Sequence, residues 1–280
     1  MKKNKRNEVF ELVLFSFFVG IILLLSLIPN IGYIQVGPIA ITIVHIPVLI
    51  GVMVLPLLHS LGLGLAFGLG SLIASFIYPS SVLNMAFQNP LISVFPRVLF
   101  ALFAFFLFYG FSQLQKIKGG KYLIFGLVST ITIIFMYFGA IAFANTLDPN
   151  QTTNLKNILI PIFLTIAGAM TGFYYWLIGS EKMKDNVAIP SSIMISTLFH
   201  TLIVLFAISI FRTSALEGTP IMDLIGFLVG TNGFIELIVG TLIATPIAIT
   251  LRTAFPELTE RKFVFLKRKK VEETQNDFNI

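Results

Sequence analysis

Two side chains of opposite charge stand out in a chain that has few charges. Arg97 falls about seven residues into an apolar run that opens at Leu91, ~10 Å deep at 1.5 Å per residue. Glu236 lies near the start of the last apolar run. An Arg within a membrane span is costly, normally faces a bundle interior or cavity, and is a functional candidate by default. Its planar fork suits a carboxylate or a phosphate. Two readings are open for it: a ligand anchor, or a structural charge paired with Glu236 or with loop carbonyls. Asn89, Ser93, Thr231 and Asn232 fall at the same ends of the same two runs, and Gln35 lies in the first loop. His45 sits about a turn and a half into the second run, and His200 near the middle of the seventh. A lone His in a bundle is more often a hydrogen-bonded core residue than a ligand contact. Together these residues describe a polar patch carrying one cation and one carboxylate, a capture site for a small polar, anionic molecule.

Other chemistry finds little support. The chain has no cysteine, which excludes disulfides and thiolate metal sites. Two separated histidines without a carboxylate at ligand spacing make a weak metal site. No G-x-x-x-x-G-K-[ST], H-E-x-x-H or G-x-S-x-G occurs, so the P-loop, zincin and nucleophile-elbow chemistries are missing. The best enzymatic pair is His45 with Glu236, and no spacing argument brings them together. No metal, cofactor or nucleic acid is expected, and the chain reads as a non-enzyme.

The elements that must position these residues follow from composition. Of 280 residues 56% are hydrophobic and only 11% charged, whereas a soluble domain carries about 25% charged residues. A chain can lack that charged surface if lipid covers it. About 20 apolar residues cross a bilayer, and eight runs qualify: Val9–Pro29, Ile39–Leu58, Leu61–Ile77, Leu91–Phe111, Tyr122–Ala144, Ile158–Ile178, Ser191–Phe211 and Phe234–Leu251. The first follows Lys2, Lys3, Lys5 and Arg6. It is too long for a signal-peptide core and has no small-x-small site after it, so a retained first helix is expected. The expected fold is therefore all-α, a polytopic transmembrane helical bundle over residues 1–255 with a basic cytoplasmic tail over 256–280. A short re-entrant or interfacial helix is expected near Ile221–Val229.

Charge orients the bundle. With an even number of spans and the N-terminus inside, the inner segments collect the N-terminal cluster, Lys116, Lys118, Lys121, Lys182, Lys184, Arg252 and the Arg261–Lys270 tail, and the outer ones only Lys156 and Arg212. That is the positive-inside pattern, with both termini cytoplasmic. The net charge of +6 is thus a topology signal. Tyr109, Tyr122, Tyr174, Tyr175 and Trp176 fall near inner ends, Tyr33 and Tyr78 near outer ends, as an interfacial belt. In the third span, Gly64 and Gly68, and Ala66 and Gly70, are small residues four apart that let helices approach closely. Ser16 and Gly20 in the first span have the same spacing; internal packing is the simpler reading, a groove for a partner helix the other.

Several stretches resemble a known family. Ile39–Leu49 after a short outer loop, the glycine-rich third span, Asn89-Pro-Leu-x-Ser-x-x-Pro-Arg97 and Thr231-Asn232-Gly233-x-x-Glu236 are similar to the substrate-binding membrane subunit, the S component, of energy-coupling factor (ECF) vitamin transporters, an ABC importer class. The pantothenate-type members are most similar. The resemblance covers spans one to four, seven and eight. It implies a six-helix core that binds a vitamin on the outer face of a bacterial plasma membrane. It also implies association with a coupling transmembrane subunit and two cytoplasmic ATPases, which would supply ATP hydrolysis. Arg97, Asn89, Ser93, Asn232, Glu236, His45 and Gln35 would meet the vitamin, and Ser16 and Gly20 would dock the coupling subunit. Spans five and six, roughly 122–178, are an extra hairpin relative to that core. A self-sufficient ion-coupled carrier of a small anion and a membrane-embedded enzyme are the alternatives, though no internal repeat of the kind carriers show is evident.

Overall fold

The computed structural model describes residues 2–36, 39–79, 85–148, 154–179, 186–211 and 233–256. The chain is an all-α polytopic transmembrane bundle. Seven helices among the described residues are long and apolar enough to cross a membrane. In order the elements are α1 (Lys2–Leu27), β1 (Tyr33–Val36), β2 (Ile39–Thr42), α2 (His45–Val54), α3 (Leu57–Ile77), α4 (Pro90–Ser93), α5 (Phe95–Leu114), α6 (Gly120–Leu147), α7 (Leu155–Gly179), α8 (Ala188–Ile210) and α9 (Phe234–Ala254). The Phe10 and Phe255 rings lie 4.6 Å apart, which puts the start of α1 and the end of α9 at one end of the bundle. The expected short helix near 221–229 and the basic tail lie outside the described residues.

The second expected span is not one long helix. Its first four residues are a strand, paired antiparallel with β1 in the register Tyr33↔Thr42, Ile34↔Ile41, Gln35↔Ala40 and Val36↔Ile39. The rest is the ten-residue α2. The run Ile39, Ile41, Thr42, Ile43, Val44 is β-branched at five positions, which favours a pleated strand, and Gly37-Pro38 punctuates the turn before it. Leu55 is extended, at φ −91 and ψ 156, as the residue before a proline prefers; Pro56 therefore ends α2 short of the expected Leu58.

Strand and helix still complete a crossing together. The Thr42 N–H donates to Glu236 in the first turn of α9 (2.7 Å). Arg252 Nη1, in the last turn of α9, donates to the Met53 carbonyl near the end of α2 (2.8 Å). Between those anchors α9 rises ~24 Å at 1.5 Å per residue, most of a ~30 Å hydrocarbon core. All ten residues of α2 are buried, and the helix packs against α1, α3, α5, α8 and α9. It is the axis of the bundle.

The glycines of α3 work as packing surfaces. A Cβ on Gly64 would lie 2.7 Å from the Arg97 carbonyl oxygen, and one on Gly68 2.7 Å from the Val94 Cα, both on the first half of the α4–α5 segment. On another face, a Cβ on Gly70 would lie 2.6 Å from Ser26 of α1. Gly20 differs: nothing lies within 4 Å of an added Cβ. Ser16 is exposed too, and its hydroxyl donates to the Leu12 carbonyl. The Ser16–Gly20 pair therefore does not pack internally among the described residues.

α6 and α7 form an antiparallel hairpin that packs chiefly on itself, with lighter contact to α8 and α5. It has its own small core of Met136, Ala140, Phe163 and Ala167. Of the aromatics expected in a belt at this end, Tyr122, Tyr175 and Trp176 are exposed, but Tyr174 turns inward. Its hydroxyl shares a 2.5 Å hydrogen bond with Ser191 of α8, and burial of a phenol of this kind calls for a polar partner.

Gly68→Ala should destabilise the purified protein by about 1–3 kcal/mol, because the new methyl meets backbone. Gly20→Ala should be neutral or stabilising by up to ~1 kcal/mol through helix propensity. Thermal unfolding in detergent checks both, and equal effects would contradict the packing described.

Candidate functional site

The site is built around a break in a helix. Asn89 caps α4, its side-chain oxygen accepting from the Leu91 N–H (2.9 Å), with Pro90 at the first helical position. Pro at that position costs nothing, since its missing N–H would be unpaired anyway. A single residue, Val94, separates α4 from α5, and Pro96 is the second residue of α5. The Ser93 hydroxyl donates to the Asn89 carbonyl (3.1 Å), and Arg97 Nη1 donates to the Ile92 carbonyl (2.5 Å).

Arg97 is 3% exposed. Its guanidinium carbon lies 4.8 Å from the Phe87 ring centre and 5.5 Å from that of Phe67, within range of cation–π attraction. Among the described residues Ile92 is its only hydrogen-bond partner, and Nε has none. A guanidinium has five donors in a rigid fork. Several are thus left for a group outside the described protein.

Glu236, 4% exposed, stands in the first turn of α9, where the helix dipole favours a negative charge. One carboxylate oxygen accepts from the Thr42 N–H, and the other lies 3.5 Å from the Thr201 hydroxyl. The Arg97 and Glu236 charges act on one another through space, with no direct ion pair between them among the described residues. Tyr33, in the loop between α1 and α2, is drawn into the same field. Among the described residues its hydroxyl makes no hydrogen bond of good geometry.

His45 and His200 meet. Their rings stack with centres 5.7 Å apart and planes 14° from parallel. Phe67 and Phe100 flank His200 at 5.5 and 4.9 Å. Both rings are buried, and among the described residues all four ring nitrogens lack a hydrogen-bond partner. Gly240 makes the room: a Cβ there would lie 3.1 Å from His45 Nε2. Phe67 therefore touches both Arg97 and His200, while Thr42 links Glu236 to the segment that carries His45.

Of the expected site residues, the structure gathers Arg97, Glu236 and His45 into one buried cluster. Asn89 and Ser93 lie a turn or two before Arg97 and shape its helix break. Gln35 is placed by its backbone, paired with Ala40. Asn232 lies outside the described residues. Ser16 and Gly20 are on the outward face of α1, away from the cluster. Sequence reasoning treated His200 as a lone residue and did not single out Phe67 or Thr201. The signal for them is helical spacing, since Thr197, His200 and Thr201 share one face of α8. The arrangement has hydrogen-bond donors and acceptors without an assembled nucleophile and base. Neither imidazole is hydrogen-bonded to a carboxylate or hydroxyl among the described residues.

No protein-family profile matches the chain. One curated protein is similar: the pantothenate transporter PanT of Leuconostoc mesenteroides subsp. mesenteroides, 35% identical over 100 residues. The alignment covers 34% of this chain and 49% of that protein, so the chain spans about half the length of the relative it matches.

Glu236→Ala should destabilise the ligand-free protein by about 1–3 kcal/mol, because the half-buried Thr42 N–H loses its acceptor. Glu236→Gln keeps an acceptor oxygen and should lose less. Thermal unfolding of the three proteins without ligand gives the order, and an Ala variant as stable as wild type would remove Glu236 from the strand's support.

Proposed function

We propose that this chain is the substrate-binding membrane subunit of an ECF-type vitamin importer in a bacterial plasma membrane, and that its ligand is pantothenate. The observation that carries the reading is Arg97, a buried guanidinium between two aromatic faces with donors left unpaired among the described residues. A charge so placed is expensive without an anion to meet it. The ligand's carboxylate takes the Arg97 fork. Its hydroxyl and amide groups meet His45, Glu236, Ser93, Asn89 and Asn232, and Gln35 closes the site from the first loop. The similarity to a protein named as a pantothenate transporter supports the vitamin.

In this reading the chain binds and other chains hydrolyse ATP. A coupling transmembrane subunit docks on the open α1 face at Ser16 and Gly20, with two ATPases beneath it on the cytoplasmic side, where both termini lie. Among the described residues nothing packs at Gly20, which supports that assignment.

Thermal stabilisation of the purified protein against a panel of water-soluble vitamins tests the site. Pantothenate at 100 times its Kd should add ~2.7 kcal/mol of stability. Arg97→Ala should abolish the shift, since losing a buried charged partner costs about 2–5 kcal/mol of binding. Arg97→Lys should weaken it strongly, because the point charge cannot reproduce the fork. No shift with pantothenate, or a shift that Arg97→Ala leaves intact, would overturn the assignment.

A further inference from the structure

The α6–α7 hairpin carries a feature that vitamin capture does not use. Where its lysine-bearing end closes, Lys121, Tyr122 and Phe125 of α6 and Tyr175, Trp176, Ile178 and Gly179 of α7 line an open cleft of about 410 Å³. That is within the ~300–1,000 Å³ range of small-molecule sites. Its floor is mostly apolar. Gly179 supplies no side chain, and a Cβ there would meet nothing within 4 Å. At its rim, Lys121 Nζ lies 4.9 Å from the Tyr122 ring. Lys116 and Lys118 stand exposed on the turn just before it. No acidic side chain lies between Gln113 and Phe125, or between Met170 and Gly179.

The occupant must be amphipathic and anionic. The cleft is lined in part by exposed Tyr122, Tyr175 and Trp176, the aromatic types that sit at headgroup level. A soluble anion would waste the apolar floor. A partner helix would leave three lysines without counter-charge. A phospholipid satisfies both: its acyl chain lies along Phe125 and Ile178, and its phosphate faces Lys121, with the basic turn adding long-range attraction. We propose that this cleft is a binding site for an anionic phospholipid of the leaflet at the lysine-bearing end of the hairpin.

Trp176 is the sole tryptophan of the chain, so its fluorescence reports this cleft alone. The full chain is reconstituted in phosphatidylcholine vesicles containing brominated phosphatidylglycerol or, separately, brominated phosphatidylcholine at the same low mole fraction. Brominated phosphatidylglycerol should quench Trp176 several-fold more effectively. Lys121→Gln should bring the two lipids to parity, and Lys118→Gln should leave most of the preference. Gly179→Leu, which fills the cleft without touching its charge, should also reduce it. Unchanged helical circular dichroism shows that each variant folds. Equal quenching by the two lipids in the wild-type protein would overturn the proposal. So would a preference that Lys118→Gln removes as fully as Lys121→Gln, or one that Gly179→Leu leaves unchanged, since each marks diffuse surface attraction and not a site.

Discussion

Extended backbone inside a membrane bundle must find partners for every N–H and C=O, because lipid offers none. This constraint organises the structure around β1, β2 and α2. The strands satisfy one another along their shared edge. Ile43 donates to the Gly32 carbonyl just beyond it. On the far edge the Thr42 N–H ends on the Glu236 carboxylate. From His45 onward the helix takes over. Glu236 therefore fixes the height of α9 against β2, and Arg252 fixes its other end against α2. Once those two bonds are made, the depth of His45 is set as well, three residues after Thr42.

The same constraint explains why Arg97 can be where it is. The α4–α5 break frees the Ile92 carbonyl, and the guanidinium fills it. The remaining charge is met by two aromatic faces and, at a distance, by Glu236. Phe67 reaches Arg97 only because α3 comes so close, and α3 comes so close because Gly64 and Gly68 present no side chains to residues 94–101. The small-residue stripe thus does more than pack two helices. It sets one phenyl ring between the cation and the histidine pair, and that joins the two halves of the site.

Much of this was legible in the sequence because hydropathy is a strong signal for spans. The expected Leu61–Ile77, Tyr122–Ala144 and Ser191–Phe211 correspond to α3, α6 and α8 with shifts of a few residues at their ends. The second span misled because an apolar run reads alike whether it is a buried strand or a buried helix. The β-branched stretch after Gly37-Pro38 and the stop at Pro56 were the available signs. In the site, Arg97 and Glu236 were conspicuous because charge is rare in such a chain. His200 and Phe67 were not, because an aromatic residue in an apolar helix looks like core. Only the crossing of α3, α5 and α8 shows which of the many phenylalanines faces the charge.

The α6–α7 hairpin joins the bundle without entering its centre. Two helices return the chain to the end it left, so α8 and α9 keep their direction. The Gln115 side-chain oxygen accepts from the Ala188 N–H (2.9 Å), tying the end of α5 to the start of α8. That junction is made without the residues that lie between them in the chain. Tyr174 then pins α7 to α8 through Ser191. Because α6 and α7 pack towards α5 and α8, while α1 packs on α2 and α3, the hairpin leaves the outward face of α1 uncovered. Val9, Val13, Phe17 and Leu24 remain exposed there beside Ser16 and Gly20. Side chains that large and apolar are at ease in lipid, so exposure alone does not call for a protein partner. A small residue among them, as at Gly20, is a place where another helix backbone could approach closely.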